Sequence, residues 1–169
     1  PSEAVVSVLR ADAGQYLLLG SKRGWVRRIP AVRVGKSLIQ GMTFHNVQEG
    51  GYLTAAGWSA EGESNVMMVT RQGRGIRFAE QQVPGRGCLG LRVAQGDGDV
   101  GKTAVSPTGA VCMVRDDGKG TVRHMNGFMA NKAPGAGGKV AMKTDALLNV
   151  IAITPDDHLF IISELGKII

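Results

Sequence analysis

Four stretches of the chain repeat one pattern: an apolar run, two or three polar residues, a glycine, and a second strand-like run. They are YLLLGSKRGWVRR (16–28), VMMVTRQGRGIR (66–77), VCMVRDDGKGTVR (111–123) and LFIISELGKII (159–169). Short apolar runs bounded by turn signals read as buried strands, and a glycine between two of them marks a tight hairpin. The turn glycines Gly24, Gly73, Gly118 and Gly166 are spaced 49, 45 and 48 residues apart. An arginine follows four positions later in the first two repeats (Arg28, Arg77) and five later in the third (Arg123). No window sustains the 3.6-residue apolar period of a long helix.

A glycine-rich box follows each of the first three hairpins: GKSLIQGM (35–42), GRGCLGL (85–91) and PGAGGKVAM (134–142). After each box comes another strand-like segment, GYLTAA (51–56), GKTAV (101–105) and LLNVIAIT (147–154). Each unit thus reads as about four short strands, and a period in the forties built this way is the signature of propeller blades. One blade cannot bury both its faces, so neighbours must stack with the apolar strands between them. The expectation is an all-β, propeller-like chain of about four four-stranded blades, in a ring that could be incomplete or open, with residues 1–169 as one domain. An N-terminal strand at Ala4–Leu9 could complete a fourth blade with Leu147–Ile162. Trp25, Phe78 and Phe128 are read as packing residues.

Composition agrees. Twenty-five glycines in 169 residues are about twice the usual share, which suits turns and bulges better than helices. No apolar run approaches the roughly 20 residues of a membrane-spanning helix, and no secretory leader is evident at the N-terminus. Membrane partners are not expected. Cys88 and Cys112 are read as buried thiols of a reducing compartment. Their spacing from His45, His124 and His158 does not match a zinc site, and no metal or other cofactor is expected.

The net charge is +6, and its placement matters more than its size. The windows 21–41, 71–92 and 115–143 hold 17 of the 20 lysines and arginines, leaving out only Arg10, Lys102 and Lys167. The same windows hold 3 of the 14 acids: Glu80, Asp116 and Asp117. Basic charge therefore recurs at one point of every repeat, and repeats around an axis would align it into a stripe. Such a stripe matches duplex DNA, with its phosphate charge about every 1.7 Å of axis. No recognition helix or zinc module is visible. Backbone contacts that bend or wrap the duplex with little sequence preference are expected.

The strings GSKRGWVRRIP, VTRQGRGIRF, ISELGKII and GGKVAMKTD resemble the repeated hairpins and boxes in the C-terminal domains of the A subunits of DNA gyrase and topoisomerase IV. The resemblance runs over essentially the whole chain. It implies a β-pinwheel with strands exchanged between adjacent blades, non-catalytic binding of double-stranded DNA at a basic edge, and a cytoplasmic, nucleoid-associated bacterial setting. By the same resemblance the partners are an ATPase B subunit together with the catalytic core of the same A subunit. Carried over by position, the DNA-binding candidates are Lys22, Arg23, Arg27, Arg28, Arg33 and Lys36 in the first unit. The second unit supplies Arg71, Arg74, Arg77 and Arg86, and the third Lys119, Arg123, Lys132 and Lys139. The gyrase hallmark of a glutamine, basic residues and paired glycines is absent as a full box. Gly35-Lys36-Ser37-Leu38 and Gly85-Arg86-Gly87 stand in its place, so gyrase-like and topoisomerase IV-like behaviour both stay open.

Two strings imitate catalytic motifs. GDGDVGKT (96–103) has the spacing of a phosphate-binding loop, but that chemistry needs a helix after Lys102. Pro107 and Gly109 leave little room for one. GRGCLG (85–90) has a dinucleotide-type spacing without the strand–turn–helix context, so it reads as a structural turn. Tyr16 and Tyr52 sit in strand-like segments and suit no strand-cleaving role. The rival to the DNA-binding reading is a propeller-type protein-interaction scaffold with a basic rim.

Overall fold

The computed structural model describes residues 3–11, 13–34, 41–59 and 64–169. The chain is almost entirely β. Its strands are β1 (Tyr16–Ser21), β2 (Trp25–Pro30), β3 (Leu53–Ser59), β4 (Asn65–Thr70), β5 (Arg74–Ala79), β6 (Cys88–Leu89), β7 (Asp99–Val105), β8 (Ala110–Arg115), β9 (Gly120–His124), β10 (Lys139–Val140) and β11 (Leu147–Ile153). Two one-turn helices, α1 (Ala31–Val34) and α2 (Val47–Gly50), interrupt them. Three antiparallel sheets result, ordered β3-β1-β2-β6, β10-β5-β4-β7 and β11-β8-β9.

The hairpins β1–β2, β4–β5 and β8–β9 are the first three sequence repeats, and β3, β7 and β11 are the strands expected after each box. All four turn glycines adopt positive φ, between 74° and 82°, the region that a Cβ disfavours. Each donates its N–H to the carbonyl three residues earlier: Gly24 to Ser21, Gly73 to Thr70, Gly118 to Arg115 and Gly166 to Ser163. A hydroxyl at that earlier position braces three of the turns. Ser21 Oγ accepts from Trp25 N (3.2 Å), Thr70 Oγ1 from Arg74 N (3.3 Å) and Ser163 Oγ from Lys167 N (3.1 Å).

The blade is shared between repeats. The box strand β6 pairs with β2 of the preceding hairpin, and β10 pairs with β5. Backbone bonds lock the exchange: Gly24 O accepts N–H from Gly90 and Leu91, and Gly73 O accepts from Ala141 and Met142. Close approach demands glycine here, because a Cβ on Gly24 would overlap Leu91 O and one on Gly73 would overlap Met142 O. The third sheet, with no later box paired to it among the described residues, has three strands where four per blade were expected.

Side chains alternate across a strand, and in β4 both faces are buried. Val66 and Met68 join Leu18 and Val26 of the first blade in one core, with Ile76, Phe78, Val83 and Leu91. Met67 and Val69 join Val111, Met113, Met125, Phe128, Leu147 and Val150 in the next. A central strand between two blades therefore reads as an unbroken apolar run. Burial of each such side chain stabilises by about 1.5–3 kcal/mol. Phe78 and Phe128 are core residues as expected, and Trp25 lies half-buried beside Gly50.

Residues 3–10 form no strand, so the expected strand at Ala4–Leu9 is corrected. The segment lies along β3 instead: Ser7 Oγ accepts from Ala56 N, and Arg10 O accepts from Trp58 Nε1. The phosphate-loop look-alike is also resolved. Lys102 and Thr103 lie within β7, so no helix follows the lysine. Lys102 is buried and reaches Thr54 Oγ1 at 3.5 Å, crossing over Gly20, where a Cβ would collide with it.

Candidate nucleic-acid interface

Each outer strand (β2, β5, β9) leaves its turn and ends in a short helical turn: α1, Glu80–Gln82 and Met125–Gly127 respectively. Because the second and third boxes run antiparallel to the outer strands they join, their first residues lie at the helical-turn end and their last at the turn glycine. Successive boxes touch as well: Gly90 O accepts from Gly135 N, and Ala136 O from Arg92 N. The second and third boxes thus lie against each other along one margin.

The candidate cations divide by what their side chains hold. Arg27 donates Nε to Gly85 O of the second box at 2.8 Å and Nη1 to Phe44 O. Arg74 reaches the third box, with Nη2 2.6 Å from Gly138 O and Nε 3.4 Å from Gly137 O. Arg123 directs Nη2 and Nε to Ala141 O at 2.6 and 3.2 Å. Lys139 donates to Met129 O at 2.8 Å and lies over the Phe128 ring. These four side chains staple backbone carbonyls of the boxes and their neighbouring loops.

Arg28 and Arg77 face inward, contrary to the expectation that they form part of a solvent-facing basic edge. Arg28 Nε bonds Glu80 Oε1 at 2.8 Å, and its guanidinium lies 3.4 Å from the centroid of the Tyr16 ring. Glu80 is fully buried and also accepts from the hydroxyls of Ser59 and Ser64. Arg77 is 7% exposed and donates Nη1 to Pro107 O at 3.0 Å; burial pulls its guanidinium below the usual arginine range. A buried cation with a fixed partner has no free donor fork to offer a phosphate.

The turn-glycine end carries cations with acids beside them. Arg71 pairs with Asp116 at 3.4 Å, and Asp117 pairs with Arg115 (3.3 Å) and Lys119 (3.7 Å). Asp97 Oδ1 accepts the N–H groups of Gln72 and Gly98. Lys22 and Arg23 are exposed in the first turn, with Arg23 Nη1 on Gln48 O. The Asp117 carboxyl is held below the usual carboxylate range, first by the N–H of Lys119 and then by the charges of Arg115 and Lys119.

The helical-turn end differs. Arg33 on α1, Arg86 in the second box and Lys132 ahead of the third are exposed and bear no side-chain partner among the described residues. Lys36 lies outside the described residues. Sequence reasoning passed over Gln82, whose Nε2 donates to Lys132 O. It also passed over Arg92 and Lys143, exposed cations at one register of successive boxes, each directly after the residue whose N–H bonds the turn glycine. Superposing the boxes rather than the hairpins would have revealed that pair.

Among the described residues no group of three His, Cys, Asp or Glu side chains could hold a metal ion. Cys88 and Cys112 are unpaired, and burial pushes both thiols up.

No family model matches the chain. It is 27% identical over 175 aligned positions to the DNA gyrase A subunit of Chlamydia muridarum, covering 98% of this chain and 21% of that protein. It is 24% identical over 165 positions to the gyrase A subunit of Pseudomonas aeruginosa, covering 92% of this chain and 18% of that one. The chain thus spans about a fifth of the length of these relatives. Among solved structures, a DNA gyrase A C-terminal domain superposes with a TM-score of 0.76 at 20% identity, over 94% of this chain and 56% of that one. The C-terminal domain of a DNA topoisomerase IV superposes with a TM-score of 0.74 at 13% identity, over 86% and 49%. Over nearly its whole length, then, the chain is similar in sequence to part of the gyrase A subunit, with the β-pinwheel fold of the gyrase A and topoisomerase IV C-terminal domains.

Proposed function

We propose that the chain binds and bends duplex DNA, with little sequence preference, as the C-terminal domain of a bacterial type IIA topoisomerase A subunit. What supports this reading is the margin where the second and third boxes meet, each carrying exposed cations, Arg86 and Arg92 in or beside the one and Lys132 and Lys143 beside the other. Backbone phosphates lie in register with such a row whatever the base sequence, so the contacts give affinity and curvature rather than readout. The domain supplies no reacting group. Strand passage belongs to a catalytic core of the same A subunit working with an ATPase B subunit in the cytoplasm.

The test is a gel shift or anisotropy titration with random-sequence duplex. The affinity is expected to fall steeply as salt rises, since each neutralised phosphate releases counterions. A fluorescently end-labelled duplex of about 40 base pairs (a length on the order of four helical turns) should show its ends drawing together on binding. Salt-insensitive or absent binding would reject the reading in favour of a protein-interaction scaffold.

A further inference from the structure

Resting on the DNA reading, we propose that Arg28 and Arg77 are positioning residues that set the angle between successive blades, and so the curvature imposed on the duplex, without touching phosphate. Each stands four residues after the turn glycine of its repeat. The chain passes from the first blade to the second between the end of β3 at Ser59 and the start of β4 at Asn65, and from the second to the third between Val105 and Ala110. Each arginine grips one of these passages. Arg77, 7% exposed, donates Nη1 to Pro107 O at 3.0 Å, inside the second passage. Arg28 reaches the first through Glu80: its Nε bonds Oε1 at 2.8 Å, while Oε2 accepts from the hydroxyls of Ser59 and Ser64, one at each end of that passage. In both joints the first residue of the helical turn also donates its N–H to the passage, Glu80 N to Ser64 O at 3.0 Å and Met125 N to Gly109 O at 2.9 Å. The grip is therefore a repeated feature, made directly at the second joint and through a buried carboxylate at the first.

Both grips lie along the outer strand from a second tie, the clasp in which Gly24 O and Gly73 O each hold two N–H groups of the following repeat's box. Four residues of strand separate grip from clasp, a lever of about 13 Å at roughly 3.3 Å per residue. With the clasp as pivot, each ångström of slack at the arginine is about 4° of splay between blades on that lever. The grip resists slack because its bonds are directional and shielded. Arg28 is mostly buried against a fully buried Glu80, with its guanidinium 3.4 Å from the Tyr16 centroid. A planar guanidinium fixes distance and orientation together, whereas an ammonium is a point charge on a flexible stem. The exposed cations borne by the boxes take up the angle of the blades beneath them, and a duplex that follows those cations takes the same curvature.

The experiment reads two quantities for the whole chain, at a temperature below the lowest unfolding midpoint in the set. One is the slope of log affinity against log salt; the other is the end-to-end distance of a bound, end-labelled duplex of about 40 base pairs. Arg28→Met, Arg77→Met and Glu80→Gln are expected to keep the wild-type slope, since no phosphate contact is lost, while the distance distribution broadens and its mean shifts by several ångströms. Arg28→Lys and Arg77→Lys keep the charge without the planar fork, and are expected to shift the distance as well. Arg86→Gln and Lys143→Gln, exposed cations, should each lower the slope by about 1. Val66→Ala, in the apolar core of the first joint, should lower the unfolding midpoint and leave the distance unmoved. No salt-dependent binding by the wild-type chain would remove the DNA reading and this inference with it. A slope that falls by about 1 in the methionine variants and is restored in the lysine variants would make the arginines phosphate contacts instead. Unchanged distances, or a shift in Val66→Ala equal to that of the arginine variants, would overturn the positioning role and leave the DNA reading standing.

Discussion

The second and third hairpins have nearly the same sequence pattern, VMMVTRQGRGIR against VCMVRDDGKGTVR, yet very different surroundings. In the second, both strands are buried and β10 closes the outer edge. In the third, β8 is buried against its neighbour, while alternate residues of β9 face solvent and Val122 is 50% exposed. A Cβ on Gly73 would overlap Met142 O, whereas one on Gly118 would meet nothing within 4 Å. The fourth hairpin goes further: Phe160, Ile162 and Leu165 are all largely exposed despite an apolar run as strong as the others. What buries a hairpin here is the arrival of the following repeat's box, a nearest-neighbour coupling of the kind expected in stacked repeats.

The largest effect expected from this difference is at the turn glycines. Gly73→Ala would meet both the left-handed backbone and the Met142 carbonyl, losing the two N–H bonds that clasp the third box. A cost on the order of 4 kcal/mol is expected, from about 1–2 for the conformation and about 1 for each bond. Gly118→Ala carries the conformational part alone, about 1–2 kcal/mol. Urea unfolding of the two variants checks this, and equal losses would show that the clasp contributes nothing.

Next in size is Glu80. The position beginning the helical turn is Ala31 in the first blade, Glu80 in the second and Met125 in the third. Only in the second does it bury a charge. Glu80→Ala would leave Arg28 without its carboxylate and two hydroxyls without their acceptor, a loss of about 3 kcal/mol. The reciprocal Arg28→Met should cost at least as much, because Glu80 is the more deeply enclosed partner. Unfolding midpoints of the two variants and the double variant decide this; a double variant as unstable as the sum of the singles would show that the two side chains do not act as a pair.

The turns and strands were legible because their causes are local. A positive-φ glycine after two or three polar residues, and an apolar run buried on both faces, are properties of a few consecutive positions. All four turn glycines and the core aromatics Phe78 and Phe128 therefore stand where the pattern puts them. The strand exchange was implied only by the resemblance, since periodicity reports which face of a strand is buried and says nothing about which distant segment closes its edge. The arginines show the same limit more sharply. Arg27, Arg74 and Arg123 recur with the charge pattern, but a carbonyl within reach turns each into a staple. Arg86 and Lys132 share that composition but stay exposed, with no such bond among the described residues. The bracing hydroxyls Ser21, Thr70 and Ser163 were visible in principle, each three residues before its glycine.

Those hydroxyls set up a smaller prediction. Thr70→Val keeps the shape of a buried side chain but removes the acceptor for Arg74 N. A loss of about 1 kcal/mol is expected, along with faster amide exchange at Arg74. Val69→Ala, a neighbour that takes no part in the brace, should leave exchange at Arg74 in step with global stability. Exchange at Arg74 that tracks global stability in both variants would argue against a specific brace.

The smallest effect separates the third turn from the other three by pH. Arg115 replaces the hydroxyl there, and the brace passes to a carboxylate: Asp117 Oδ1 accepts from Lys119 N at 3.1 Å. Asp117 titrates below the ordinary aspartate value near 3.8, chiefly because that N–H stabilises the ionised form. The folded value lies below the unfolded one, so the contribution to stability is full above the unfolded value and fades as pH falls through the folded value. Acidification through that window should shift the Lys119 amide resonance, while Trp25, Arg74 and Lys167, braced by hydroxyls, stay unmoved. Asp117→Asn should abolish the shift. Salt should weaken the part due to Arg115 and Lys119 and spare the part due to the N–H bond. A carboxyl midpoint at or above the value of a free aspartate would mean that the third turn is held by its glycine alone.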